Sequence, residues 1–340
     1  MNDHVTLADL VAGVEDLRLG VDGRLVAPLL VLDLAGADWR VADRLTARVS
    51  QLNAIVIGVS AEPLPDASAR LLKALTVTLA PSAPGRSWAP GSADDLEAIR
   101  STVAGHPHAA WTLITTLRLT SQLPVHEGLM VESLAYSMLQ GAEEYREWRR
   151  RTPRRAVPPL HHDPVLVDRS DDVLEIALNV PQRHNAFGRA VRDGLIEALE
   201  LAELDPSISL VRLTGTGPSF CSGGDLDEFG MPDPAVAHLI RVQQSAALAV
   251  HRVRARAVVQ VHGACVGAGI EVPSFADRIE AKEGSWFLLP ELSMGLIPGA
   301  GGTVGVTRRI GRWRTAFMAL TGRRVGLETA LAWNLVDAQA

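Results

Sequence analysis

The stretch Val261-His262-Gly263-Ala264-Cys265-Val266-Gly267-Ala268-Gly269-Ile270-Glu271 leaves a strand, turns through small residues and opens a helix that carries a carboxylate. Upstream, Ser219-Phe220-Cys221-Ser222-Gly223-Gly224-Asp225-Leu226 also follows a strand with small residues. Downstream stands Leu289-Pro290-Glu291-Leu292-Ser293-Met294-Gly295-Leu296-Ile297-Pro298-Gly299-Ala300-Gly301-Gly302-Thr303. Glycine lets a backbone N–H approach a ligand closely, and a helix start leaves N–H groups without partners. Two such groups on separate loops can converge on one carbonyl oxygen, each contributing roughly 3–4 kcal/mol to a transition state. Either glycine run alone reads as a tight turn. Their order, spacing and flanking carboxylates change that reading.

Around this core the chain alternates. Strands are expected at 173–178, 209–213 and 257–261, and helices at 188–204 and 234–253; Val191, Leu195, Ile196 and Leu199 recur at helical spacing. The alternation is that of an α/β protein. The N-terminal part repeats the order: strand 29–34, helix 41–52, strand 54–59, short helix 67–74, strand 75–79. Residues 92–151 read as all-helical, with Trp111, Leu113, Leu117, Leu129, Leu134 and Tyr136 as core candidates. The proline-rich run TPRRAVPPLHHD at 152–163 reads as a linker. It divides the chain into domains at 1–155 and 156–340.

The 340 residues carry 33 Lys and Arg against 39 Asp and Glu, a net charge of −6. No cationic excess is present to displace counterions from phosphates, which argues against a nucleic-acid partner. Lys73 and Lys282 are the only lysines, so the positive charge is nearly all Arg, either a lineage habit or phosphate recognition by guanidinium. Two cysteines exclude a disulfide scaffold. No stretch reaches the ~20 apolar residues of a membrane span, and no signal peptide is read at the start, so a cytoplasmic protein without membrane association is expected.

The three loops together resemble the crotonase superfamily, the enoyl-CoA hydratase/isomerase family. The resemblance covers residues 166–340 and extends to PQRHNAF at 181–187 and the closing TGRRVGLETALAWNLVD at 321–337. It implies a spiral of ββα repeats, an oxyanion hole from the N–H groups of Gly224 and Ala268, and catalytic glutamates at Glu271 and Glu291. It further implies that Arg183, Asn185, Ser222, Asp225 and Leu226 border substrate or CoA. No metal or cofactor is implied beyond the coenzyme A of the substrate. Relatives with other chemistries often lack one glutamate, so the pair favours hydration of a 2-enoyl thioester. Isolated, Glu271 reads equally as an exposed helix residue and Glu291 as a helix-start carboxylate.

Family members continue past the closing motif with helices that cover the acyl pocket and help form trimers or hexamers, whereas this sequence stops at Ala340. Residues 92–151 resemble that terminal segment. The expectation is that residues 1–155 are a degenerate crotonase-like α/β and helical copy whose helices close the active site. Homo-oligomers, and a role in fatty-acid or secondary metabolism, follow from resemblance alone. Alternatives are an isomerase, a thioester hydrolase or a cofactor-free oxygenase on an unusual acyl- or aryl-CoA, and a non-catalytic acyl-CoA-binding subunit. His161-His162-Asp163 reads as linker rather than metal ligands, Cys221 and Cys265 as small buried hydrophobes, and His262 as structural. His126 and Glu127 read as the start of a helix. Trp286 and Phe287 are either acyl-pocket walls or plain core.

Overall fold

The computed structural model describes residues 4–12, 18–21, 23, 25–156 and 160–340. The N-terminal part runs β1 (His4–Val5), α1 (Leu7–Ala12), β2 (Arg18–Leu19), β3 (Leu25–Val26), β4 (Leu29–Asp33), α2 (Trp39–Gln51), β5 (Ile55–Val59), α3 (Ala69–Ala74), β6 (Val77–Leu79) and β7 (Trp88–Ala89). Strands β1, β4, β5, β6 and β7 form one parallel sheet in that spatial order. Helix α2 starts at Asp38, whose side chain accepts from Arg40 N, and buries Ala42, Leu45 and Val49 on the sheet.

Four helices follow: α4 (Ala93–Gly105), α5 (Pro107–Thr120), α6 (Val125–Gln140) and α7 (Glu143–Arg151). Ser92 and Asp95 cap α4 reciprocally. Leu113, Leu117 and Tyr136 are core, as the sequence suggests. Leu134 is not: it is exposed, with Met130 and Met138 one turn to either side, on the outward face of α6.

The C-terminal part contains β8 (Val165–Ser170), β9 (Val173–Leu178), α8 (Arg189–Leu204), β10 (Leu210–Gly215), α9 (Pro234–Gln243), α10 (Ala246–Val253), β11 (Ala257–Val261) and β12 (Ala264–Val266). Then come α11 (Ala268–Glu271), β13 (Arg278–Ala281), β14 (Trp286–Leu288), a 3₁₀ turn Glu291–Met294, α12 (Gly305–Ile310), α13 (Arg312–Thr321), β15 (Val325–Gly326), α14 (Leu327–Trp333) and β16 (Ala338–Gln339). The larger sheet has the order β16-β13-β11-β10-β9-β8, parallel except for the β8–β9 hairpin. A second sheet takes β12, β14 and β15. The turns β11–β12 and β13–β14 each add one strand to both sheets and are followed by α11 and by the Glu291–Met294 turn, as expected of the spiral.

Two local expectations need correction. Strand β8 precedes β9 and was not foreseen; only Val165 is buried, so an edge strand facing solvent shows no apolar alternation. The single helix expected over 234–253 is two, because Ser245 stops one and caps the next by accepting from Leu248 N.

One hydrophobic core joins both parts, from Val31 and Ile57 through Leu113 and Tyr136 to Ile176, Val259 and Phe287. The linker residues Val157, Pro158 and Pro159 lie outside the described residues. What flanks them is fastened: Arg154 donates to Phe229 O at 2.7 Å, and Arg155 N to Asp227 Oδ1 at 2.9 Å. Among the described residues no helix is long and apolar enough to cross a membrane.

Candidate active site

Strand β11 of the larger sheet and then β12 of the smaller one deliver the chain to Gly267, whose φ of +49° and ψ of −119° suit glycine alone. Ala268 is the first residue of α11, so its N–H has no partner within the helix. On the facing loop Gly223 holds φ +100°. Phe187 N donates to Gly223 O and Asp225 N to Phe187 O, so the ladder passes over Gly224 N. Among the described residues neither Gly224 N nor Ala268 N has an acceptor. The two loops are pinned together by backbone pairing between Cys221 and Cys265, both free thiols: Cys221 N donates to Ala264 O and Val266 N to Cys221 O.

Glu271 and Glu291 meet over Gly267. A Cβ there would stand 2.6 Å from Glu291 Oε1 and 3.5 Å from Glu271 Oε1. Glu271 Oε2 accepts from Ala300 N and Gly302 N, each at 2.8 Å. Burial pushes its carboxyl up to about 7, and the two amides oppose that rise. Glu291 is also buried, but Oε2 has no partner among the described residues. Burial first, and the charge of Glu271 second, hold its carboxyl well above the ordinary range. Two loop amides thus favour the charged form of Glu271, and Glu291 Oε2 has no such support among the described residues.

Gly267→Ala should be costly. The methyl needs a backbone conformation that L-residues rarely adopt, and it meets Glu291 Oε1. We expect a loss of roughly 1–3 kcal/mol in urea unfolding, whereas an unchanged midpoint would mean that the turn relaxes freely.

A third carboxylate, absent from the sequence reading, comes from the N-terminal part. Glu132 of α6 is buried and accepts from Gly301 N at 2.7 Å, Thr303 N at 2.8 Å and Thr303 Oγ1 at 2.6 Å. Burial and then the charge of Glu271 push it up to about 8, against these donors. It holds the same loop, 299–303, whose amides hold Glu271. Thr120 Oγ1 adds a bond to Thr303 O at 2.7 Å, and the Tyr136 ring packs on Gly299. No motif announces Glu132; in sequence it is one acidic residue on a helix.

These groups line one cavity of about 880 Å³, which includes Gly224, Asp225, Ala268, Glu271, Glu291 and, from α6, Leu129, Glu132 and Tyr136. The expected CoA-side residues divide. Arg183 and Asp225 line the cavity, but Arg183 Nη2 is paired with Asp225 Oδ1 and Asp227 Oδ2, both at 2.8 Å. This clamp orders the loop that carries Gly224. Asn185 is fully buried outside the lining, accepting from Val180 N and donating to Thr216 O and Ser219 O. Ser222 and Leu226 are exposed and lie outside the lining.

Cys221 and Cys265 are buried, and burial raises both thiols, Cys221 to about 12. His262 Nε2 lies 2.9 Å from Gly217 O. Trp286 and Phe287 do not line the cavity: Phe287 is core and Trp286 lies beneath the Arg324 guanidinium at 4.0 Å. Among the described residues no cluster suits a metal ion.

Residues 168–339 match the family model described as enoyl-CoA hydratase/isomerase. The chain is 32% identical over 193 residues to a mevalonyl-coenzyme A hydratase of Beauveria bassiana, covering 53% of this chain and 68% of that protein. It is 33% identical over 173 residues to a 2,3-dehydroadipyl-CoA hydratase of Escherichia coli, covering 51% and 68%. Similar solved structures include an enoyl-CoA hydratase from Thermoplasma volcanium, at TM-score 0.49 and 28% identity over 53% of this chain and 72% of that one. With its C-terminal half matched by that family model, this chain belongs to the enoyl-CoA hydratase/isomerase family, the crotonase superfamily.

Proposed function

We propose that the chain hydrates 2-enoyl thioesters of coenzyme A. The observation that carries this reading is the unequal pair, Glu271 held by two amides and Glu291 by none at its Oε2, beside two unpartnered N–H groups. The thioester oxygen lies between Gly224 N and Ala268 N, which draws electrons from the conjugated double bond and leaves C3 electrophilic. A water sits between the glutamates. Glu271 takes its proton as the water oxygen bonds to C3. The C2=C3 electrons pass to the enolate, and Glu291 returns a proton to C2 as the enolate collapses. Proton exchange then resets the pair. The CoA portion runs outward past Ser222 and Leu226, on the loop ordered by the Arg183 clamp.

Residues 1–155 are, in the same proposal, a degenerate copy whose helices supply the cover of the acyl pocket. Two features support it. Strands β4 to β7 run parallel in chain order, as β9, β10, β11 and β13 do. Helix α6 lines the cavity that holds Glu271.

The test is loss of enoyl-thioester absorbance with short, medium and aryl-conjugated 2-enoyl-CoAs, with water addition confirmed by mass. No hydration of any of them would sink the proposal. The pH profile is a second check. Glu271 must be ionised, so turnover climbs as pH rises through about 7, and it falls again once Glu291 loses its proton. A rate that declines steadily from pH 6 to 8 would contradict Glu271 as the ionised base.

A further inference from the structure

Beside Tyr136 the cavity lining includes a cation. Arg241 of α9 lines it, half-buried, with its guanidinium 4.4 Å above the Tyr136 ring centre. Its Nε donates to Ser133 Oγ at 3.2 Å, and Nη2 donates to Ser133 O at 3.4 Å and to Ser137 Oγ. All of these partners are neutral. Among the described residues Arg241 has no carboxylate in an ion pair, and Glu132, tied to its own three donors, acts on it only at longer range. Nη1 makes no hydrogen bond among the described residues and retains accessible surface.

A guanidinium withdrawn from water and left without a counter-ion is unfavourable unless something anionic completes it. The other guanidiniums that line the cavity from half-buried positions are already paired, Arg183 with Asp225 and Asp227, and Arg192 with Asp193. The same cavity is lined by the apolar Leu129, Ala237 and Ile240 as well as by Tyr136 and Glu132. An acyl chain in this cavity meets apolar side chains and one cation without a counter-ion.

We propose that Arg241, held in place by Ser133 and Ser137, forms a subsite for a terminal carboxylate, so that the substrate is the CoA monothioester of an unsaturated dicarboxylic acid. The proposal rests on the acyl-thioester reading above. Nη1 and the planar fork of the guanidinium suit a carboxylate better than a neutral chain end. A neutral acyl chain would instead cover the cation with methylenes and leave it unpaired.

Saturated thioesters, which cannot be hydrated, separate binding from turnover. Calorimetry on the full chain compares adipyl-CoA with hexanoyl-CoA, and glutaryl-CoA with pentanoyl-CoA. The carboxylated member of each pair should bind about 10- to 100-fold more tightly, the range of a hydrogen bond to a charged group. Arg241→Met should erase the difference, and Arg241→Lys should keep part of it, with thermal melting as the control for folding. The wild-type comparison stands even where a variant fails to fold. Equal or tighter binding of hexanoyl-CoA would overturn the carboxylate subsite and leave the acyl-thioester reading intact. Absence of binding by all four would overturn both.

Discussion

Glu271→Gln and Glu291→Gln should each lower hydration of a good 2-enoyl-CoA by roughly 10²- to 10⁴-fold, with saturated acyl-CoA binding largely retained. The expectation follows from the division of labour between the two side chains. Glu271 must accept a proton, and an amide cannot. Glu291 must deliver one, and an amide does not at this pH. Because the pair acts on one water, the double variant should be little slower than either single one. The two differ in stability. The Glu291 carboxyl is raised in the folded chain by burial without a partner for Oε2. The folded state therefore holds that proton more tightly than the unfolded chain, and its contribution is present below the unfolded pKa and lost as pH rises above it. Glu291→Gln should accordingly melt higher than wild type at pH 8 and show no such gain near pH 4. Hydration that survives both single substitutions would remove the pair from the chemistry.

The second large effect is expected outside the matched segment. Glu132→Ala should cost about 3 kcal/mol of stability and about 10² in turnover. The change leaves Gly301 N, Thr303 N and Thr303 Oγ1 buried without an acceptor, and unmade bonds of this kind cost roughly 1–3 kcal/mol each. Relief of the repulsion between Glu132 and Glu271 offsets part of that loss. The turnover effect passes through the loop. Gly301 lies between Ala300 and Gly302, the two residues whose amides support the ionised form of Glu271. If that loop loosens, the Glu271 carboxyl rises further, so the acidic limb of the pH profile should move to higher pH. Glu132→Gln, which keeps one acceptor oxygen, should restore part of both. A merely destabilised protein would lose active molecules without moving the limb. Glu132 is in this sense a positioning residue, acting on the reaction through another side chain.

The α/β alternation of both halves was legible because its signals are local. Buried strands such as Val173–Leu178 alternate, and α8 repeats Val191, Leu195 and Leu199 along one face. Strand β8 escaped because an edge strand facing water carries no such pattern. The candidates Gly224, Ala268, Glu271 and Glu291 came from the family resemblance of three short motifs, and the fold brings all four to one cavity. Asn185 illustrates the limit: the motif names the residue, but only the fold shows its amide spent on Val180, Thr216 and Ser219.

The sequence by itself determined the α/β alternation of the buried elements, the glycine-rich loops at 223 and 267 and the presence of two motif glutamates. The tertiary structure decided everything that depends on distant segments meeting in one buried volume. Glu132 and Thr303 are far apart in the chain, and no periodicity links them. The same holds for Arg241 and the Tyr136 ring, or for Arg183 and its two aspartates. Charge character follows the same rule. Glu271 and Glu291 are identical side chains, and what distinguishes them is the pair of loop amides that one receives and the other lacks. Desolvation and hydrogen bonding set a carboxyl's proton affinity, and both are properties of packing rather than of residue type.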